Sequence, residues 1–414
     1  MAIIRNCLRC SSCRAKIITR TAPGHSPSQQ HKFPCPSCGV EIRFSLRGKK
    51  KKPGEFTFGK PVNGKWVKSE RGAIATITFD PERVSPKDLG RSFSPFLDEV
   101  FRLPPGAHEA YAVEEGMRRA WRDAQWPWIK KLIVHFDNRN QALFDREAGI
   151  EKTSPHAASW ATRLRLLYQL LEKAFDNFTL NRLPQIQRVQ QRITFAESVS
   201  ASLYVELVRL YVTSSRMAKI WTELNNIRTT FLNSYLTMSP LLRMQIYWGK
   251  PPEDLSEFVV PDKQFEVLKY LYIESFETLC RLTVIALGLE AIIHHKRLSI
   301  PMKKQMSLWV YEAMPNANKH TVLQRYPIHD LFLPAIDTKL RNGIGHHSAF
   351  YSAETDEVWY YEQQGGDLVK RRICYTEFVY KVLVLYSAVE LAALYFHSIH
   401  AKSCELEMGG GVGS

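Results

Sequence analysis

The sequence predicts a mainly α-helical protein with a small cysteine-rich β unit at its N-terminus. Two cysteine pairs open the chain, and most of the remaining length consists of long segments whose apolar residues recur every three or four positions, the period of a helix with one buried face. Strand-like alternation is confined to short runs. With 414 residues at 45% apolar composition there is material for two or three cores and no sign of general disorder.

RCSSCRAKI and PCPSCGVEI repeat one pattern: Cys, two residues, Cys, three residues, Ile. Cys10, Cys13, Cys35 and Cys38 therefore form two pairs at the spacing of a four-thiolate zinc site. So short a segment buries too little apolar surface to fold alone, and structural zinc in such units supplies on the order of 10 kcal/mol. The pattern resembles zinc ribbons, small β modules around a closed, non-catalytic metal. Cys7 also stands at a two-residue gap from Cys10, but only the later pair aligns Ile17 with Ile42, which leaves Cys7 spare. Five of eight cysteines lie in the first 38 residues, a usage that fits metal binding in a reducing, cytoplasmic setting better than a disulfide framework.

Net charge is +15, and residues 1–60 hold 13 Lys and Arg against 2 acids, so the excess sits at the N-terminus and favours polyanionic partners. The run Arg47, Lys49, Lys50, Lys51 and Lys52 reads either as a solvated linker or as a sequence-blind grip on a phosphate backbone. Residues 1–58 are thus expected to form a ribbon with a basic linker. No secretory signal is evident, and the apolar stretch 380–396 is broken by Lys381 and Glu390, which predicts a soluble protein without a membrane partner.

Residues 59–255 read as a mostly helical middle domain. One strand is expected at 74–79, then helices over 107–136 with Pro127 as a kink, 157–178, and 195–235. Trp121, Trp126, Trp128, Tyr204, Tyr211 and Trp221 sit at helical spacing, as core side chains do. No phosphate-binding glycine loop, nucleophile elbow or zinc-protease helix occurs here. Three prolines in 249–262 mark a boundary, and 256–406 reads as a helical bundle. Its helices are expected over 263–296, near 303–314, over the motif segment, and over 376–401 with Thr376 as a cap. A β-hairpin around Gly365 and Gly366 is inserted before the last. Residues 407–414 read as a flexible tail.

Within that bundle, LFLPAIDTKLRNGIGHHSAFY places Arg341 and Asn342 shortly before His346. Asp330 is expected to cap the helix, and Gly343 and Gly345 to let the backbone leave it through positive φ. Arg20 and His25 show a similar spacing in a Pro/Ser-rich loop, so the spacing gains its meaning from context: an Asn directly after the Arg, a helix end, and long apolar helices on either side. In these respects the segment resembles the HEPN superfamily, all-α nucleotide-binding and ribonuclease domains marked by Arg, a polar residue and a His four to six residues after the Arg. The resemblance covers about residues 256–404.

The resemblance implies metal-independent RNA cleavage at a composite site in a homodimer, with catalytic Arg341, Asn342 and His346, and His347 as an alternative base. Imidazole titrates near neutrality and suits proton transfer, and a guanidinium suits the phosphate. Zinc would be structural and no cofactor would serve catalysis. The resemblance also implies an endoribonuclease of the toxin-like or antiviral-effector kind. The contrasting expectation is a non-catalytic nucleic-acid-binding or assembly protein. Glu274, Glu277 and Glu290 on the first bundle helix are placed to assist Arg341, but helix-surface acids are as a rule solvated, and that is the reading taken for them.

Overall fold

The computed structural model describes residues 4–24, 26, 28–48, 55–79, 104, 107–150, 159–180, 183–212, 215–248, 255, 260, 264–301, 305–346 and 349–409. It is 62% helical with several small sheets, the mainly α class read from the sequence.

The N-terminal unit contains β1 (Ile4–Cys10), β2 (Lys16–Thr21), β3 (Ser28–Pro34), β4 (Glu41–Gly48), β5 (Phe56–Phe58), β6 (Gly64–Val67) and β7 (Ala73–Phe79). They form a four-stranded sheet in the order β6-β1-β2-β7 and a three-stranded sheet β3-β4-β5. Between them lie Leu8, Cys10, Ile17, Phe33, Cys35, Ile42 and Phe44, with Phe58, Trp66, Ile77 and Phe79 packed around. The expected strand at 74–79 exists, but it belongs to this unit: β7 pairs in parallel with β2 from Lys16↔Ala73 to Thr21↔Phe79. The boundary drawn at residue 58 is therefore too early. A strand that completes a distant sheet carries no local mark of its partner, and the rings of Phe79 and Phe44, 5.2 Å apart, need that pairing to meet.

The helical body begins with α1 (Ala107–Ala120), which runs through a π-helical turn, Trp121–Gln125, into α2 (Trp126–Asp137). Where a kink at Pro127 was expected there is a wider turn: Pro127 has no N–H to continue the ladder, and the π-helical residues before it take up the mismatch. Next come α3 (Gln141–Ala148), α4 (Trp160–Phe175), α5 (Leu183–Val199), α6 (Ala201–Val212), α7 (Arg216–Asn233) and α8 (Tyr235–Trp248). Beyond the Pro-rich segment come α9 (Phe265–His295), the short strands β8 (Ser299–Ile300) and β9 (Met306–Ser307), then α10 (Leu308–Ala313), α11 (Asn316–Leu323), α12 (His329–Phe332) and α13 (Thr338–His346). A three-stranded sheet, β10 (Phe350–Ser352), β11 (Glu357–Gln364) and β12 (Asp367–Cys374), leads to the last helix, α14 (Tyr375–Gly409).

α9 and α14 pack along each other at the centre, and α4, α5, α6 and α7 pack against this pair. Trp126, Tyr204, Tyr211 and Trp221 are buried, as the helical spacing predicted. One hydrophobic cluster joins Trp126, Leu164, Tyr211, Phe231, Leu282, Ile344, Tyr386 and Cys404. The helices on either side of 249–262 thus share one core, where separate middle and C-terminal domains were expected. A charged pair crosses the same divide: Arg228 of α7 donates to Glu390 of α14 at 2.8 and 3.0 Å, both groups buried. α14 also passes the expected stop at Ala401, with Glu407 paired to Arg139 at 3.3 Å. Of its length, residues 375–407 are apolar enough to cross a membrane, but 78% of that stretch's most apolar window is buried inside the fold, as in a core helix.

Candidate functional site

Two places carry the chemistry that the sequence singled out. At the first, Cys10 and Cys35 end β1 and follow β3, and each opens the same tight turn. Cys10 N–H donates to the Ala15 carbonyl and Cys35 N–H to that of Val40, both at 2.9 Å. Arg14 and Gly39 occupy equivalent positions with φ of 65° and 73°. Ile17 and Ile42, which aligned the two knuckles, are both fully buried. The turns bring Cys10 Sγ to 3.8 Å from Cys38 Sγ and Cys13 Sγ to 3.6 Å from Cys35 Sγ, with all four sulfurs within 4.8 Å of one another. A tetrahedral thiolate site with metal–sulfur bonds of about 2.3 Å has edges of about 3.8 Å, so the donor set fits a metal ion. Hydrogen bonds from the Ala15 backbone and the Ser37 side chain pull the Cys13 thiol down to about 6, while burial and the neighbouring sulfurs push the Cys38 thiol up to about 12. Cys7 is buried elsewhere, opposite Ile18 and Val67. Arg47 lies exposed at the end of β4, whereas Lys49, Lys50, Lys51 and Lys52 lie outside the described residues.

At the second place, α13 carries Arg341. The cap is Asp337 and not Asp330: its Oδ1 accepts from Leu340 N–H at 3.0 Å, after a break in which Leu333–Ala335 turn as a 3-10 helix. The expected single helix is split because Pro334 offers no N–H to an α-helical ladder. Gly343 and Gly345 do not release the chain through positive φ; both remain inside α13. Gly343 is instead a close-packing residue. A Cβ there would stand 2.4 Å from Cδ2 of Tyr360 and 2.7 Å from the Tyr361 carbonyl, so the bare backbone lets β11 lie directly on the motif helix. We expect Gly343→Ala to destabilise the protein by about 1–3 kcal/mol despite alanine's better helix propensity. Urea denaturation checks this, and a variant as stable as the wild type would contradict the packing role.

Arg341 Nη2 is ion-paired with Glu277 Oε1 of α9, and Nη1 donates to Asn342 Oδ1 at 3.3 Å. Asn316 Nδ2 in turn reaches Glu277 at 3.3 and 3.4 Å, and Lys319 Nζ donates to Asn316 Oδ1 at 3.1 Å. The Arg341 and Glu277 side chains keep 17% and 26% of their exposure, so solvent reaches this pair. Asp337, the other acid within a turn of Arg341, is engaged by Lys381 at 3.0 Å. Position 346 is the last of α13, one turn beyond the exposed Asn342 on the same face and about 140° around the axis from position 341. The side chain of His346 and all of His347 lie outside the described residues. Burial pushes the Cys280 thiol, on α9, up to about 12, which leaves it unsuited to nucleophilic work at neutral pH.

Asn316 and Lys319 were not anticipated, and Glu277, considered as an aid to Arg341, was read as solvated. Glu277 resembled any other helix-surface acid, since its partner is 64 residues away. Glu290 is fully buried against Arg192 and His294 and plays no part at α13. His329 faces His320 at 3.0 Å.

Comparison of the chain with family models, curated proteins and solved structures gives no match in any of the three.

Proposed function

We propose that the chain is a metal-independent endoribonuclease of the HEPN kind, with Arg341, Asn342 and His346 as its reacting constellation and a second copy completing the site. The observation that carries this reading is the solvent-reachable Arg341, fixed by Glu277 on the helix that ends at position 346 and lies against the central helix α9. The ribose 2′-oxygen attacks the adjacent phosphorus as a neutral imidazole takes its proton. The bond to the 5′-oxygen breaks, that oxygen gains a proton, and the products end in a 2′,3′-cyclic phosphate and a 5′-hydroxyl. Arg341 stabilises the phosphorane charge, and Asn342 orients the guanidinium or the imidazole. In-line displacement puts entering and leaving oxygens on opposite sides of phosphorus. A second copy of the motif supplies the second proton carrier. His347 is the alternative base. End-group analysis of RNA incubated with the purified protein tests this reading, and the biological role that suits it is a toxin-like or antiviral effector.

The four cysteines hold zinc in this proposal, as a structural ion outside the chemistry. Chelation is then expected to abolish hydrogen-exchange protection in β1 to β7 and to leave α9 and α14 protected, because the small core between the two sheets cannot support that unit unaided. Protection that survives chelation in β1 to β7 would remove zinc from the account.

One observation favours a second reading. The Glu277 pair also gives Arg341 a purely structural use, tying α13 to α9 in a non-catalytic nucleic-acid-binding or assembly protein. Under that reading the protein binds RNA without cutting it, and Arg341→Ala costs stability alone.

A further inference from the structure

The sheet after the motif helix has two unlike faces. Strand register places Tyr351, Val358, Tyr360 and Ile373 on the inner one, against the core and α13. The outer face presents a cross-strand row, Phe350–Trp359–Arg372, and two residues further along β11 the pair Tyr361–Lys370. Phe350 is 45% exposed and the Arg372 side chain 62%. Lys370 Nζ stands 4.2 Å from the Trp359 ring centroid and 5.7 Å from that of Phe350, and Arg372 Cζ lies 5.6 Å from Trp359. Glu357 is the acid on this face, and it is paired to Arg372 at 3.0 Å.

Aromatic rings on a shallow sheet with cations beside them meet the two needs of a single strand of nucleic acid, a flat surface for unpaired bases and positive charge for the phosphates between them. The rows stand about 7 Å apart along the strand, a span that one or two nucleotides bridge. A duplex hides its base faces and gains nothing from the rings. The same sheet touches the motif helix at Gly343 through its inner face, so the aromatic and basic row lies on the side turned away from α13.

We infer that the outer face of β10-β11-β12 is a platform that holds single-stranded RNA, with Trp359 and Phe350 stacking on bases and Lys370 and Arg372 holding phosphates. The inference deepens the ribonuclease reading and rests on it for the choice of RNA, but its test is independent. The probe is a fluorescent 2′-O-methyl oligouridine, which has no free 2′-hydroxyl to attack, titrated by anisotropy into the full-length protein. Trp359→Ala should weaken binding about fivefold or more, with Trp359→Phe recovering most of the loss. Lys370→Gln should lower the salt dependence of log K by about 0.7, the value for one phosphate contact to a single strand. Binding of a DNA duplex should be unchanged in all three.

Affinities within twofold of wild type in both Trp359→Ala and Lys370→Gln would overturn the platform. So would a dimer that becomes monomeric in Trp359→Ala, by light scattering, while oligouridine affinity holds, because the face would then be a subunit contact. If the variants lose oligouridine binding but natural RNA is never cut by wild type, the platform stands and the nuclease reading falls. If RNA is cut and both variants bind as wild type, the reverse holds.

Discussion

Replacing His346 with alanine is expected to lower RNA cleavage by about a thousandfold while the far-UV circular dichroism stays that of the wild type. Removal of a positioned proton carrier takes roughly two to four orders of magnitude from a reaction of this class, and a composite site loses both of its imidazoles in one homodimeric variant. Arg341→Ala should fall by about a hundredfold or more through loss of charge stabilisation at phosphorus. The two variants separate in stability. Arg341→Ala strands Glu277, which among the described residues keeps the neutral Asn316 amide of α11 as its hydrogen-bond partner, and should cost measurable stability. His346 stands at the end of its helix. If His346→Ala cleaves at the wild-type rate and His347→Ala does not, the role passes to the neighbouring histidine. If neither variant changes the rate, the site assignment is wrong.

The largest stability effect is expected at the other end of the helical core. Glu390→Leu leaves the Arg228 guanidinium, 99% removed from solvent on its side chain, without its carboxylate. Breaking a buried pair in this way costs about 3–5 kcal/mol, more than a typical exposed ion pair contributes by several-fold. His397, whose Nε2 lies 3.4 Å from the guanidinium, cannot replace the acid, because burial lowers its affinity for a proton and leaves the ring neutral. The double variant Arg228→Met with Glu390→Leu should recover much of the loss, since two apolar side chains then fill the same space. Urea midpoints measure both. A loss below about 1 kcal/mol in Glu390→Leu would mean that α7 and α14 are not held by this pair.

That pair also shows where sequence reading stops. The helices were legible because burial of one face imposes a period that local residues must obey; Tyr204, Tyr211 and Trp221 announced themselves that way. The cysteine knuckles were legible because a metal site fixes ligand spacing within a few residues. Partners set by tertiary approach leave no such trace. Nothing beside residues 74–79 says that they pair with β2, and nothing near Glu277 singles it out from Glu274 and Glu290 as the partner of Arg341. The Pro-rich segment 249–262 breaks helices, as prolines do, but a break in local structure does not divide a core. The glycines of the motif carried two physical meanings, left-handed backbone or close approach, and only the packing of β11 on α13 decides for the second at Gly343.

The central claim is that a guanidinium and an imidazole from the motif cut RNA through its own 2′-hydroxyl. The most direct measurement is end-group analysis of RNA after incubation with the full-length protein in excess chelator, alongside His346→Ala. The account predicts 2′,3′-cyclic phosphate and 5′-hydroxyl ends from the wild type and intact RNA from the variant. Linear 3′-hydroxyl ends with 5′-phosphates, or cyclic ends made equally well by both proteins, would contradict it.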